Sequence, residues 1–161
     1  MSLDNKPVYT GGCQCGAVRF RVEGRLRNVS ICHCRMCQKA FGGFFAPLAT
    51  APEDGLVWTR GAPKHFRSSN HVLRGFCGNC GTPLTFEAPD GVALAIGAFD
   101  DPAELAPKTQ WGVEGRLPYF GTLAGLPEKR TDEDISDNSY LLSVESCQHP
   151  DHDTPDWQVK P

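Results

Sequence analysis

A mainly β domain with a few short helices is the fold class that this sequence predicts, on three observations. Short segments alternate apolar and polar residues with the period of a half-buried strand. The 161 residues include 17 Gly and 13 Pro, and are 40% hydrophobic and 22% charged, the make-up of a turn-rich globular chain rather than a disordered or all-helical one. Seven of the eight cysteines stand in three tight clusters, Cys13-x-Cys15, Cys32-x-Cys34-x2-Cys37 and Cys77-x2-Cys80, with Cys147 apart. The length fits one domain. Residues 1–146 are read as that domain, and 147–161, rich in Pro and Asp, as a poorly ordered tail.

The elements follow in chain order. In residues 17–24, AVRFRVEG, Val18, Phe20 and Val22 share one face while Arg19, Arg21 and Glu23 take the solvent side of a strand. Residues 35–41 allow one or two helical turns before Gly42 and Gly43 stop them. Residues 44–50, FFAPLAT, read as a buried strand that Pro47 places near an edge or bulge. Residues 56–59 and 65–68 flank a turn and predict a hairpin, and 72–76 a strand running into Cys77. Residues 85–87, a Pro89-Asp90-Gly91 turn and 92–99 extend the meander. Asp101, Pro102 and Glu104 mark a short helix start. Residues 111–126 lack periodicity and read as an irregular cover, and the acidic run 128–137 as a solvated helix or loop.

Charge and targeting signals narrow the function classes. Residues 1–75 carry eleven Lys/Arg against four Asp/Glu, and 76–161 five against fifteen, for a net charge of -3. That acidic balance argues against nucleic-acid binding. No stretch is apolar enough to span a membrane, and MSLDNKPVYT lacks the apolar core of a signal peptide. The expected location is cytoplasmic, where thiols stay reduced and clustered cysteines point to metal rather than disulfides. Arg19, Arg21, Arg35, Lys39 and Arg74 in the basic half would offset thiolate charge.

Zinc takes four soft ligands in a tetrahedron, and each close cysteine pair supplies two from one turn. Two groupings satisfy it. Cys34 and Cys37 with Cys77 and Cys80 would form a ribbon-like site and leave Cys13, Cys15 and Cys32 over. Cys13 and Cys15 with Cys77 and Cys80 would leave Cys32, Cys34 and Cys37 as a self-contained triplet, and this grouping is favoured because it uses all seven clustered cysteines.

The segments GGCQCGAVRF, ICHCRMCQKAFGGFFA and FCGNCGTPLTF, with weaker matches in WGVEGRLPYF and GLPEKR, resemble the signature blocks of the glutathione-dependent formaldehyde-activating enzyme family, the centromere-protein-V-like group, over roughly residues 9–129. The resemblance implies an Mss4-like fold of coiled antiparallel β-sheets around a structural zinc. It implies that Cys13, Cys15, Cys77 and Cys80 hold this zinc, and that Cys32, Cys34 and Cys37 hold a second zinc at the catalytic centre. The implied activity is a carbon–sulfur lyase in which zinc lowers the pKa of glutathione, or a similar thiol, for attack on formaldehyde or a small aldehyde. The partners are then small molecules, with neither nucleic acid nor membrane. The alternative is a non-catalytic, zinc-stabilised binding module of the same fold.

Around the triplet, Arg35 and Lys39 are candidates for holding substrate carboxylates, Gly43 and Phe44 for a close backbone approach, and Trp111 for a pocket wall, with Glu114, Arg116 and Tyr119 nearby. Where many family members carry a histidine before an aromatic, this chain has Thr109-Gln110-Trp111. His33, one residue from two ligands in a tight loop, is expected to point away from the metal, His65 and His71 to be structural, and Cys147 to be a bystander.

Overall fold

A computed structural model describes residues 6–134 and 138–160. Ten strands form two sheets. β1 (Val8–Gly12), β2 (Arg19–Glu23) and β5 (Leu56–Arg60) make a three-stranded antiparallel sheet in that order. The second sheet has seven strands: β3 (Arg27–Cys32), β4 (Ala46–Thr50), β6 (Lys64–Arg67), β7 (Leu73–Phe76), β8 (Pro83–Ala88), β9 (Gly91–Ala95) and β10 (Thr109–Trp111). Their order across it is β10-β3-β4-β9-β8-β7-β6. Helix α1 spans Arg35–Phe41 and ends where Gly42, in the left-handed conformation at φ 61°, returns its N–H to the Gln38 carbonyl.

The mainly β expectation is met, and Phe20 and Val22 of β2 are buried on one face as its alternation requires, with Val18 buried just before the strand. Phe20 is the centre of this core, with the Phe99 ring 5.1 Å away and Trp58 of β5 6.0 Å away, both edge-on. Pro47 pairs with Ile31 of β3 at a point before β9 joins β4 at Leu48, so its missing N–H interrupts no ladder on that side.

The expected hairpin between 56–59 and 65–68 does not form. β5 pairs with β2, and β6 pairs with β7 instead. The reason is burial: β5 alternates Leu56 and Trp58 inward, whereas every residue of β6 is exposed at the edge of the larger sheet. The chain changes sheets at Gly61, whose φ of 54° and close approach to the Ala17 carbonyl leave no room for a Cβ. The helix expected after Asp101 is a single 3-10 turn, Pro102–Glu104, and the acidic run contributes one more, Thr131–Asp134, with 135–137 outside the described residues.

Arg19 also departs from expectation. It is 3% exposed rather than on the solvent face. Its Nη1 and Nη2 donate to the two carboxylate oxygens of Asp100 at 2.7 and 2.6 Å, and Nε and Nη2 donate to Asp153 Oδ1 at 3.2 and 2.6 Å. Asp153 belongs to the stretch read as a poorly ordered tail, which folds back over the β1–β2 turn. His149 is buried with its N–H on the Gln14 carbonyl, Trp157 Nε1 donates to the Cys15 carbonyl at 2.8 Å, and Arg60 bonds to the Gly16 and Thr154 carbonyls. Ion pairs and hydrogen bonds to partners distant in sequence hold this segment, with the Trp157 ring 4.7 Å from that of His149.

Burial raises the Asp100 carboxyl, but hydrogen bonds from Arg19 and Thr10 outweigh it and hold it below the usual carboxylate range. Its contribution to stability is therefore present above about pH 4 and is lost as the pH falls through its lowered value. Asp100→Ala should cost about 3 kcal/mol at neutral pH, the low end for an uncovered buried charge because Asp153 remains. Urea unfolding at pH 7 and again near pH 3 checks this, with the gap to the parent narrowing at the lower pH.

Candidate functional site

Cys13 and Cys15 lie in the β1–β2 turn, and Cys77 and Cys80 in the β7–β8 connection. The four sulfur atoms lie within 4.8 Å of one another, which resolves the two groupings open in the sequence. The surroundings suit thiolates: the N–H groups of Val18, Asn79 and Cys80 point at Cys13 or Cys77 Sγ at 3.2–3.5 Å, and the Asn79 side-chain amide donates to Cys15 Sγ at 3.2 Å. Burial pushes the Cys13 thiol up to about 12 and raises Cys77 as well. At Cys80 burial is outweighed by hydrogen bonds from Thr82, and its thiol falls to about 6. A set of four soft donors with these N–H partners fits a metal ion such as zinc.

The second group is assembled by a single turn of chain. β3 ends at Cys32, Cys34 is the N-cap of α1, and Cys37 lies in the first turn of that helix. Their sulfurs also lie within 4.8 Å of one another. The loop is fixed from outside by Gln38, whose Nε2 donates to the carbonyls of His33 and Gly115 at 2.8 and 2.9 Å. From β7, buried Arg74 places Nη2 3.4 Å from Cys37 Sγ. Burial raises Cys37 against the pull of Arg74, whereas at Cys34 it is outweighed by the Cys37 N–H and, further down, by the Arg74 charge, so that thiol is lowered. Three soft donors of this kind also fit zinc.

His33 points away from the sulfurs. Its ring is fully buried, 4.6 Å from the Phe120 ring and 6.0 Å from Phe45, with Nε2 2.9 Å from Gln110 Oε1 and Nδ1 unpartnered. Gln110, the departure from the family pattern, thus meets His33 rather than the cleft. His65 pairs with Glu87 on the sheet edge, and His71 is an exposed turn residue rather than a strand residue. Cys147 is exposed and belongs to neither sulfur group.

A cleft of about 320 Å³ opens beside Cys32 and Cys37, walled by Trp111, Phe86, Asn28, Ser30 and Asp90. Trp111 is the residue among the expected substrate contacts that lines it. Arg35 and Lys39 line a neighbouring cleft of about 400 Å³, with Met36, Phe66, Ser68 and Arg74. Phe44, next to Gly43, packs its exposed ring 5.6 Å from Tyr119, away from both clefts. A third cleft, about 450 Å³, borders the four-cysteine group, and two of its charged walls, Arg19 and Asp100, are already paired with each other. Asn28, Ser30 and Asp90 were not singled out by sequence. The positive φ of Asn28, 46°, is what turns the chain at this wall, and it has no signature in the residues around it.

The two sulfur groups should respond differently to mutation. Cys77→Ser should lose the fold, since metal binding in such small sites contributes on the order of 10 kcal/mol of folding free energy. Cys34→Ser should remain folded and lose one of two bound metals. Circular dichroism with metal content by mass spectrometry distinguishes the outcomes, and unfolding of both variants alike would make both groups structural.

The model of the family described as glutathione-dependent formaldehyde-activating enzyme matches residues 8–114. An uncharacterized lyase of Schizosaccharomyces pombe is 29% identical over 85 residues, and the match spans 53% of this chain and 61% of the length of that relative. A crystal structure of a Rhodobacter sphaeroides protein is similar with a TM-score of 0.48 at 20% identity, covering 63% of this chain and 98% of that one. Both sulfur groups fall inside the family match, which takes in well over half of the sequence: the chain belongs to the glutathione-dependent formaldehyde-activating enzyme family.

Proposed function

We propose that this chain is a zinc-dependent enzyme of the carbon–sulfur lyase type, which joins glutathione or a similar thiol to formaldehyde or another small aldehyde as an S-hydroxymethyl adduct. The observation that carries this reading is the incomplete sulfur set. Cys32, Cys34 and Cys37 converge without a fourth His, Cys, Asp or Glu among the described residues, and two of them border an open cleft. A structural site is closed by four protein ligands, whereas a site that does chemistry keeps one place open. Family membership supports the substrates, and the name of the yeast relative supports a lyase.

The reaction forms one C–S bond and one O–H bond. The thiol sulfur adds to the carbonyl carbon, the C=O π pair moves to oxygen, and the proton lost from sulfur ends on that oxygen; the reverse breaks the C–S bond. Zinc held by the three sulfurs would favour ionisation of a thiol placed in the open position. The protein's part is placement. Trp111, held by Nε1 to Asn28 Oδ1 at 3.3 Å, gives the cleft an aromatic wall, and Ser30 and Asp90 give it polar atoms for a hydroxyl or amide. Arg35 and Lys39, across Arg74 in the neighbouring cleft, supply positive charge for substrate carboxylates.

Eight free cysteines fit a reducing, cytoplasmic setting, and no helix among the described residues is long and apolar enough to cross a membrane. Calorimetric titration tests the reading. Glutathione should bind the zinc-loaded protein and fail to bind Cys34→Ser, and nuclear magnetic resonance with labelled formaldehyde should show the hydroxymethyl adduct forming faster with protein than without. Equal heats from the parent and the variant, with no rate gain, would overturn the enzyme and leave a zinc-stabilised binding module.

A further inference from the structure

Arg74 is a buried cation without a carboxylate. It is 7% exposed, in the middle of β7. Its Nε donates to Ser68 Oγ at 2.9 Å, its guanidinium carbon stands 5.1 Å from the centre of the Phe86 ring, and Nη1 is buried without a hydrogen-bond partner. Among the described residues no Asp or Glu pairs with it. Arg19, just as buried, meets two carboxylates. Burying a charge with no counter-charge costs several kcal/mol, so a fold that keeps one supplies an anion elsewhere. For Arg74 the candidate is sulfur: Nη2 donates to Cys37 Sγ, which is an anion once a metal ion holds it as thiolate.

We infer that Arg74 is a positioning residue whose fixed charge makes the three-cysteine site select an anionic fourth ligand, a thiolate, over a neutral one such as water. The inference rests on the reading above that a substrate thiol takes the fourth position. Three thiolates around a divalent ion leave one net negative charge, which would repel an arriving anion. The Arg74 guanidinium offsets that charge from within hydrogen-bond distance of one ligand, in a buried setting where charges are weakly screened. Among the described residues no charged side chain donates a hydrogen bond to a sulfur of the four-cysteine group. The donors to its sulfurs are backbone and amide N–H groups and a threonine hydroxyl, all neutral. The closed set is thus supported by dipoles and the open set by a full charge. The Phe86 ring and Ser68 hold the guanidinium in place, so the charge stays where the sulfurs converge.

Cobalt(II)-loaded protein reports its fourth ligand through visible absorption bands, and separate titrations with glutathione and with thiocyanate test both a thiol and a bare anion. Arg74→Met removes the charge while filling the space, and leaves the Cys37 sulfur without its cation. Arg74→Lys keeps the charge, and Arg74→Gln serves should the methionine variant fail to retain metal at the four-cysteine site. Arg74→Met should bind both probes about tenfold or more weakly, and Arg74→Lys should stay within about threefold of the parent. Unchanged binding by Arg74→Met, or equal loss in Met and Lys variants, would overturn the inference in favour of packing. A parent protein that binds thiocyanate but not glutathione would sink the thiol reading and leave the thiocyanate series to decide Arg74. A parent that binds neither would sink both.

Discussion

Two cysteine-bearing turns that are 62 residues apart at Cys15 and Cys77 bring their sulfurs to 3.8 Å, and the rest of the architecture depends on that junction. One turn belongs to the small sheet and the other to the large sheet, and few strand hydrogen bonds pass between them. The apolar core supports the junction through Phe20, Leu84 and Phe99, yet it is a modest core for a chain with so many turns. Four soft ligands converging at one point would, with a metal ion bound, supply the long-range tie that sequence-local strand pairing cannot. The C-terminal stretch then closes over the same place, since Trp157 bonds to the carbonyl of Cys15 itself.

The two buried arginines show how one residue type is put to opposite uses. Arg19 is enclosed by Asp100 and Asp153 and fastens the chain end to β2, which is a structural ion pair. Arg74 instead meets a cysteine sulfur, a serine hydroxyl and an aromatic ring, and borders a cleft. Arg19 sits in a strand whose alternation would place it in solvent, whereas Arg74 shares its strand face with Val72 and Phe76.

What was legible in the sequence was local. The β2 alternation, the Gly42 stop of α1 and the cysteine turns each depend on residues within one or two turns of each other, where spacing alone fixes geometry. The choice of cysteine grouping was also readable, because only one arrangement leaves each sulfur with near neighbours of its own. What was not legible depends on distant partners. Nothing around residue 153 announces that Asp153 meets Arg19, and nothing in residues 56–60 says that their partner is β2 rather than the next strand. Arg35 and Lys39 were read as neighbours of the triplet because they follow it closely. Helical geometry instead turns them to the opposite side of α1 from buried Cys37 and into a different cleft.

β10 lies parallel to β3, with Trp111 level with Cys32, and the His33 N–H continues the ladder to the Trp111 carbonyl. The aromatic wall of the cleft and the first sulfur of the triplet are therefore carried on adjacent, hydrogen-bonded backbones. Beyond Gly112, which the Cys34 backbone crowds too closely to admit a Cβ, the chain from 113 to 126 holds two short 3-10 helices, Val113–Gly115 and Phe120–Gly125, and no strand. Ring and sulfur thus share one ladder, while the 3-10 stretch is anchored to the sulfur loop from outside it, by Gln38 on the Gly115 carbonyl and by Phe120 on the His33 ring. Any movement of the β3 edge therefore carries the ring and the first sulfur of the triplet together.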